Sequence, residues 1–241
     1  LVMRGDDHIS NTPKQILLYQ ALGVPVPQFA HLPMIHGTDG KKLSKRHGAT
    51  AVGDYRHLGI LPEAMLNFLA LLGWSPGGDR EVMTLAEMVE LFSADGLSKK
   101  AAVFDPQKLE WMNGQHLAAM PLDALAPLVA RAAEEAGLAP ADALLARGDW
   151  WTQLLELLRV RSRTVDELVR QLRPYVLDAL TYDEDAVAKQ WLKDPAATRA
   201  LLGAARAALE TLPAWDAAQM EPSSRCAWRS SGARRAPGCS T

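Results

Sequence analysis

Cysteine is scarce in this chain. Its 241 residues hold only Cys226 and Cys239. These two form no close metal-ligand pair, and no Cys/His cluster accompanies them, so no zinc site is expected. A disulfide-free protein of the cytoplasm is the default that follows. Also missing is any apolar run near the roughly 20 residues of a membrane span, so no membrane partner is expected. No leader pattern is read at the start. Charge of one sign is missing too. Lys and Arg number 26 against 28 Asp and Glu, a net charge of −2. Such a balance exerts no global pull on nucleic acid, and any RNA contact has to come from local patches. Finally, no Gly-x-x-x-x-Gly-Lys-Ser/Thr loop occurs, which excludes a P-loop. What remains is 48% hydrophobic and 22% charged. That composition is globular, and the length suffices for one or two domains.

The densest chemistry lies in Lys41-Lys42-Leu43-Ser44-Lys45-Arg46-His47-Gly48-Ala49, with four cations in six residues. An apolar run, Phe29 to Ile35, and a turn-rich segment, His36-Gly37-Thr38-Asp39-Gly40, lead into it. A strand feeding a basic loop suits a polyanion whose charge changes during reaction. Lysine ammonium groups act there as point charges on flexible stems. The plain alternative is a solvated face or a nucleic-acid patch.

The chain opens on Leu1-Val2-Met3, which reads as the last part of a strand whose partners are missing. Arg4-Gly5-Asp6-Asp7-His8 follows, a loop at the carboxyl end of that strand, where α/β sheets bind ligands. An arginine there can grip a carboxylate through two parallel hydrogen bonds, and an acidic neighbour can accept from ribose hydroxyls. A surface Arg–Asp turn is the structural alternative. Thr12-Pro13-Lys14-Gln15 reads as a helix start, with Thr12 as N-cap and Gln15 closing a capping box, and Gly23 ends the helix. A strand from Phe29 to Ile35 completes a strand–helix–strand crossover of a mainly parallel sheet.

Beyond the basic loop the pattern turns helical. A short helix over 54–58 closes at Gly59, and Leu61 to Trp74 forms a mostly buried one. Thr84-Leu85-Ala86-Glu87 is a capping box that opens a helix to about Phe92. Val103-Phe104-Asp105-Pro106 starts a helix through Trp111-Met112-Asn113-Gly114. From Pro121 the spacing predicts helices over 122–136, 140–146, 149–159, 164–173, 184–192 and 195–211, with a capping box at Thr164-Val165-Asp166-Glu167. Arg159, Arg161, Arg163, Arg170 and Arg173 fall within fifteen residues, just after Trp150 and Trp151. Arginines beside aromatics suit unpaired bases, and an Arg-rich solvated face over two core tryptophans is the alternative. From about Glu221 no period survives, and the stretch reads like a tail or an out-of-frame translation.

Lys42-Leu43-Ser44-Lys45-Arg46 resembles the second signature of class I aminoacyl-tRNA synthetases, in its glutamyl-tRNA synthetase form. Arg4-Gly5-Asp6-Asp7-His8 with Asn11-Thr12-Pro13-Lys14-Gln15, the Leu61 to Trp74 helix and the Val103 to Gly114 block resemble that family in the same order. The resemblance covers about residues 1–215. Glutaminyl relatives continue into β-barrels, whereas this chain continues as helices, so it is similar to the bacterial glutamyl enzyme. A shortened paralogue that modifies a tRNA base lacks the helical anticodon domain.

The resemblance implies a mainly α chain: the remnant of an α/β, Rossmann-type nucleotide-binding domain (1–50), a helical stem-contact region (51–120), a helical anticodon-binding domain (121–220) and an irregular tail (221–241). It implies ATP with Mg2+, L-glutamate and tRNA(Glu) as partners, and a monomer. Lys45 would hold the ATP phosphates with Lys42 assisting. Ser44 and Asp7 would contact ATP, Ile35 would offer backbone to the adenine, and Arg4 would bind glutamate. Arg159, Arg161 and Arg163 would meet tRNA. His8 stands where some relatives carry an aromatic residue. The family's first signature, of His-x-Gly-His type, is absent from this chain. Three readings follow: part of a glutamate–tRNA ligase, a non-catalytic tRNA-binding module, or a helical interaction protein descended from a synthetase.

Overall fold

The computed structural model describes residues 1–44 and 51–213. Lys45, the rest of the basic stretch to Thr50, both cysteines and the tail from residue 221 lie outside the described residues. Contacts divide the chain into two compact units, Leu1–Asp178 and Ala179–Thr241.

The first unit begins with β1 (Val2–Gly5), which pairs in parallel with β2 (Phe29–Leu32), Arg4 opposite His31. A 3-10 turn over Asp6–Asn11 and helix α1 (Thr12–Ala21) make the crossover that parallel strands require. The expected capping box does not form at α1. Asn11 holds the N-cap position without a side-chain bond, and Thr12 is already helical. Thr12 Oγ1 and Gln15 Oε1 instead accept from the Arg4 guanidinium. A charged donor is the stronger competitor for such oxygens.

The expected strand from Phe29 to Ile35 breaks at Pro33. β2 stops at Leu32, and β3 (Ile35–His36) pairs in parallel with β4 (Ala102–Val103) in a second small sheet. Proline has no N–H with which to continue the first ladder.

Helices carry the rest of this unit. They are α2 (Val52–Arg56), α3 (Pro62–Leu71), α4 (Leu85–Leu91), α5 (Pro106–Ala119), α6 (Leu122–Glu135), α7 (Ala141–Leu145), α8 (Asp149–Arg159) and α9 (Val165–Val176). The helix over 54–58 thus begins two residues earlier, and the run to Trp74 stays helical only to Leu71. Thr84 and Glu87 form their capping box, and the bonds from the Thr84 backbone and hydroxyl hold the Glu87 carboxyl below the usual range. Asp105 caps α5 by accepting from Gln107 N–H at 2.9 Å. At α9 only half of the expected box appears: Thr164 Oγ1 accepts from Glu167 N–H, while the Glu167 carboxylate turns to the N–H of Arg163.

Two of the three apolar cores among the described residues of the unit join most of its helices. One joins α3 to α5 through Met65, Phe68, Phe104, Leu109 and Met112, with Phe68 and Phe104 edge-to-face at 5.0 Å. Ile35 and Leu43 pack on its flank, so the base of the basic loop rests on the helical body. The other joins α6, α7, α8 and α9 around Leu125, Val129, Leu144, Leu155 and Leu168, and takes in Leu61, Ala64 and Leu117 from before residue 120. By contrast α1 leaves Leu17 and Leu18 exposed, and Leu22 just beyond it is exposed too.

The second unit holds α10 (Glu184–Gln190), capped by Asp183, and α11 (Pro195–Glu210), capped by Asp194. Tyr182 and Trp191 stack edge-to-face across α10 at 4.8 Å.

Candidate functional site

The residues singled out near the N-terminus converge at the carboxyl ends of β1 and β3. A tight hairpin does this. Gly37 N–H donates to Lys41 O at 2.8 Å and Leu43 N–H to Ile35 O at 3.0 Å, so His36 and Lys42 stand opposite each other. Gly40, at φ +74°, makes the reversal, a backbone conformation that glycine adopts without strain. The hairpin carries Lys42 back over the Asp6–Asn11 turn, where its Nζ lies 3.5 Å from Asp7 Oδ2. His8 Nε2 is 4.0 Å from Asp7 Oδ1. Ser44 is half-buried and engaged within the chain. The Ile35 carbonyl is already used by Leu43, which bears on the expectation that Ile35 backbone meets adenine.

Arg4 is held more firmly than the sequence suggested. Its Nη2 donates to Thr12 Oγ1 at 2.8 Å and to Gln15 Oε1 at 2.5 Å, and the guanidinium lies 5.3 Å from the centre of the Phe29 ring. Thr12 Oγ1 also donates to His8 O and contacts His31 Nε2 at 2.9 Å. Arg4 Nε is buried without a partner among the described residues. Buried donors are normally satisfied, so this one is suited to an acceptor from a bound molecule. Thr12, Gln15 and His31 were not singled out as site residues, because their oxygens and nitrogens read locally as helix and strand furniture.

The arginines of the helical part separate into two kinds. Arg159 is committed to its own chain: Nη1 donates to Met120 O at 2.6 Å and Nη2 to Glu156, with the side chain only 14% exposed. Arg161, Arg163, Arg170 and Arg173 are exposed. The tryptophans separate as well. Trp151 is a core residue donating to Ala126 O, whereas Trp150 is 40% exposed beneath the Arg147 guanidinium at 4.6 Å.

Among the described residues no group of three or more His, Cys, Asp or Glu is placed to hold a metal ion. No helix among them is long and apolar enough to cross a membrane.

Residues 1–111 match the family model for the catalytic domain of class I tRNA synthetases (E and Q), and residues 118–225 match that for an anticodon binding domain. The chain belongs to the class I tRNA synthetase family. It is 50% identical over 190 residues to a glutamate–tRNA ligase of Oleidesulfovibrio alaskensis, covering 78% of this chain and 40% of that protein. A glutamate–tRNA ligase of Moorella thermoacetica is 42% identical over 224 residues, covering 93% of this chain and 45% of that protein. The crystal structure of a glutamate tRNA ligase from Elizabethkingia meningosepticum in complex with its amino acid superposes with a TM-score of 0.72 at 27% identity, over 96% of this chain and 48% of that one. The chain therefore spans less than half the length of these relatives.

Proposed function

We propose that this chain is the later portion of a glutamate–tRNA ligase. The observation that carries the reading is the convergence of Lys42 and Asp7, 35 residues apart in sequence, beside a clamped Arg4. This is one cationic and acidic mouth suited to a nucleotide and an amino acid together. The glutamate carboxylate attacks the α-phosphate of ATP, forming glutamyl-adenylate and releasing pyrophosphate. A terminal ribose hydroxyl of the tRNA then attacks the adenylate carbonyl and releases AMP. Positioning and charge stabilisation carry both steps, with no covalent enzyme intermediate.

In this reading Lys45 stabilises the phosphate charge and Lys42 assists it, with Ser44 and Asp7 beside the nucleotide and Ile35 near the base. Mg2+ enters with ATP as part of the substrate. Arg4 binds glutamate, and its unpartnered Nε supplies a donor for the substrate carboxylate. Arg161 and Arg163 meet tRNA. Residues 51–120 and 121–220 serve as stem-contact and anticodon-binding regions. A preceding segment completes the nucleotide domain and covers Leu17, Leu18 and Leu22. The assembled enzyme is a cytoplasmic monomer.

The test is glutamate- and tRNA-dependent ATP–pyrophosphate exchange by the enzyme that carries this chain with its preceding segment. Lys45→Ala abolishes exchange if the reading holds. Wild-type exchange by that variant removes the loop from the chemistry.

A second reading is a tRNA-binding module without catalysis. The exposed Arg161, Arg163, Arg170 and Arg173 favour it. It predicts salt-sensitive tRNA binding by the chain alone.

A further inference from the structure

Residues far apart in sequence close on one short turn between α8 and α9. Asn113, fully buried in α5, donates from Nδ2 to Arg163 O at 2.6 Å and to Gly59 O at 3.2 Å. Its Oδ1 accepts from Leu61 N–H at 2.7 Å. The next residue, Gly114, lies so close that a Cβ there would stand 3.3 Å from Arg163 Cα and 3.4 Å from Ser162 O. From the other side Gln171 Nε2 donates to Ser162 Oγ at 3.1 Å and to Arg161 O at 3.4 Å. Glu167 accepts from Arg163 N–H at 2.7 Å. Ser162 is buried at 4% exposure, yet the arginines on either side of it are exposed.

Joining two helices does not require so much. Thr164 already caps α9, and an apolar side chain at position 113 would fill the space without a polar group to satisfy. What the buried amide adds is a fixed backbone at Arg163, while Gln171 holds the Arg161 carbonyl at the other end of the same turn. A turn ordered in advance spares the ordering cost that a loose one meets on binding.

We infer that Asn113 is a positioning residue for an RNA contact made by Arg161 and Arg163, whose guanidinium groups meet phosphates or unpaired bases of tRNA. The inference rests on the tRNA-binding part of the proposed function. Asn113 itself touches no RNA, and acts by setting where the two arginines emerge.

The test is a double-mutant cycle on tRNA(Glu) binding by the full chain, measured across a range of salt concentrations. Asn113→Asp keeps the shape and the acceptor for Leu61 N–H but removes both donors. Arg163→Gln removes the charge that Asn113 positions directly, through the Arg163 carbonyl. Each single variant is expected to weaken binding about fivefold to tenfold and to lower the salt slope by about one contact. The double variant is expected to lose no more than the larger single loss. Fully additive losses, or a salt slope untouched by Asn113→Asp, overturn the assignment, because a merely structural asparagine would not act through Arg163. Should circular dichroism find Asn113→Asp unfolded, Gln171→Ala paired with Arg161→Gln, whose carbonyl Gln171 holds, takes its place, with the same outcomes deciding. Wild-type chain that binds no tRNA overturns the binding reading and this assignment together. Wild-type binding with additive losses overturns this assignment alone.

Discussion

Lys42 Nζ stands 3.5 Å from Asp7 Oδ2, with the two side chains 63% and 47% exposed. The pair joins two polar segments that lie on separate elements, and it exists because a glycine-turned hairpin folds the start of the basic stretch back over the Asp6–Asn11 turn. An ion pair this exposed contributes less than about 1 kcal/mol to stability. Its placement matters for charge, then, more than for folding. Lys42→Ala is expected to leave the thermal midpoint of the chain unchanged and to slow ATP–pyrophosphate exchange by the complete enzyme about a hundredfold. A lowered midpoint with unchanged exchange would make Lys42 a structural residue.

Arg159 and Arg161 are expected to behave oppositely. Arg159 bonds the Met120 carbonyl at 2.6 Å, at the junction of α5 and α6, and is mostly buried. Arg159→Ala leaves that carbonyl without its donor and is expected to cost about 1–3 kcal/mol of unfolding free energy, measured by urea denaturation. The salt slope of tRNA binding should stay as it is. Arg161→Ala should leave stability within about 0.5 kcal/mol, as exposed substitutions generally do, and lower the salt slope. The reverse pattern would return Arg159 to the RNA surface.

The contrast also marks how far the sequence could be read. The helical periods over 122–210 were legible because each apolar stripe recurs with the helix repeat and most helices open on a Thr, Asp or Pro signal. The four blocks of the synthetase resemblance were legible in their order. Tertiary competition was not. Thr12 and Gln15 carry a capping pattern, but Arg4, eight and eleven residues away, takes both oxygens. Pro33 interrupts an apolar run that alternation alone would continue. Arg159 and Arg161 are two residues apart and look alike in sequence, yet one faces the junction of α5 and α6 and the other faces solvent. Asn113 lies among Trp111, Met112 and Gly114 with no local sign that its partners are Gly59, Leu61 and Arg163.

Gly59 offers a sharp test of the packing between the start of α3 and the start of α9. Its φ is +72°, and a Cβ there would stand 2.8 Å from Asp166 N and 3.0 Å from Val165 N, both backbone atoms that cannot swing aside. Gly59 O also accepts from Val165 N–H at 3.2 Å. Gly59→Ala combines the left-handed penalty of about 1–2 kcal/mol with that clash. Chemical denaturation should therefore show a loss above about 2 kcal/mol. A near-neutral result would mean that the turn relaxes freely and that α9 is not held against it.

His116 makes stability depend on pH. It sits in α5 with Nε2 3.0 Å from Asn67 Oδ1, which also accepts from Met83 N–H at 2.8 Å. Burial pulls the imidazole below its ordinary value of 6.5, and Glu63 opposes that shift only in part. Between the lowered value and 6.5 the folded imidazole binds fewer protons than the unfolded one. Its contribution is then full above the ordinary value and is lost as the pH falls below it. Denaturation midpoints measured from pH 7.5 down to pH 5 should fall across that window. His116→Gln, which retains an amide donor toward Asn67, should flatten that decline while leaving the midpoint at pH 7.5 little changed. An identical decline in the variant would assign the acid sensitivity to other groups and leave His116 a neutral hydrogen-bond donor without a titration role.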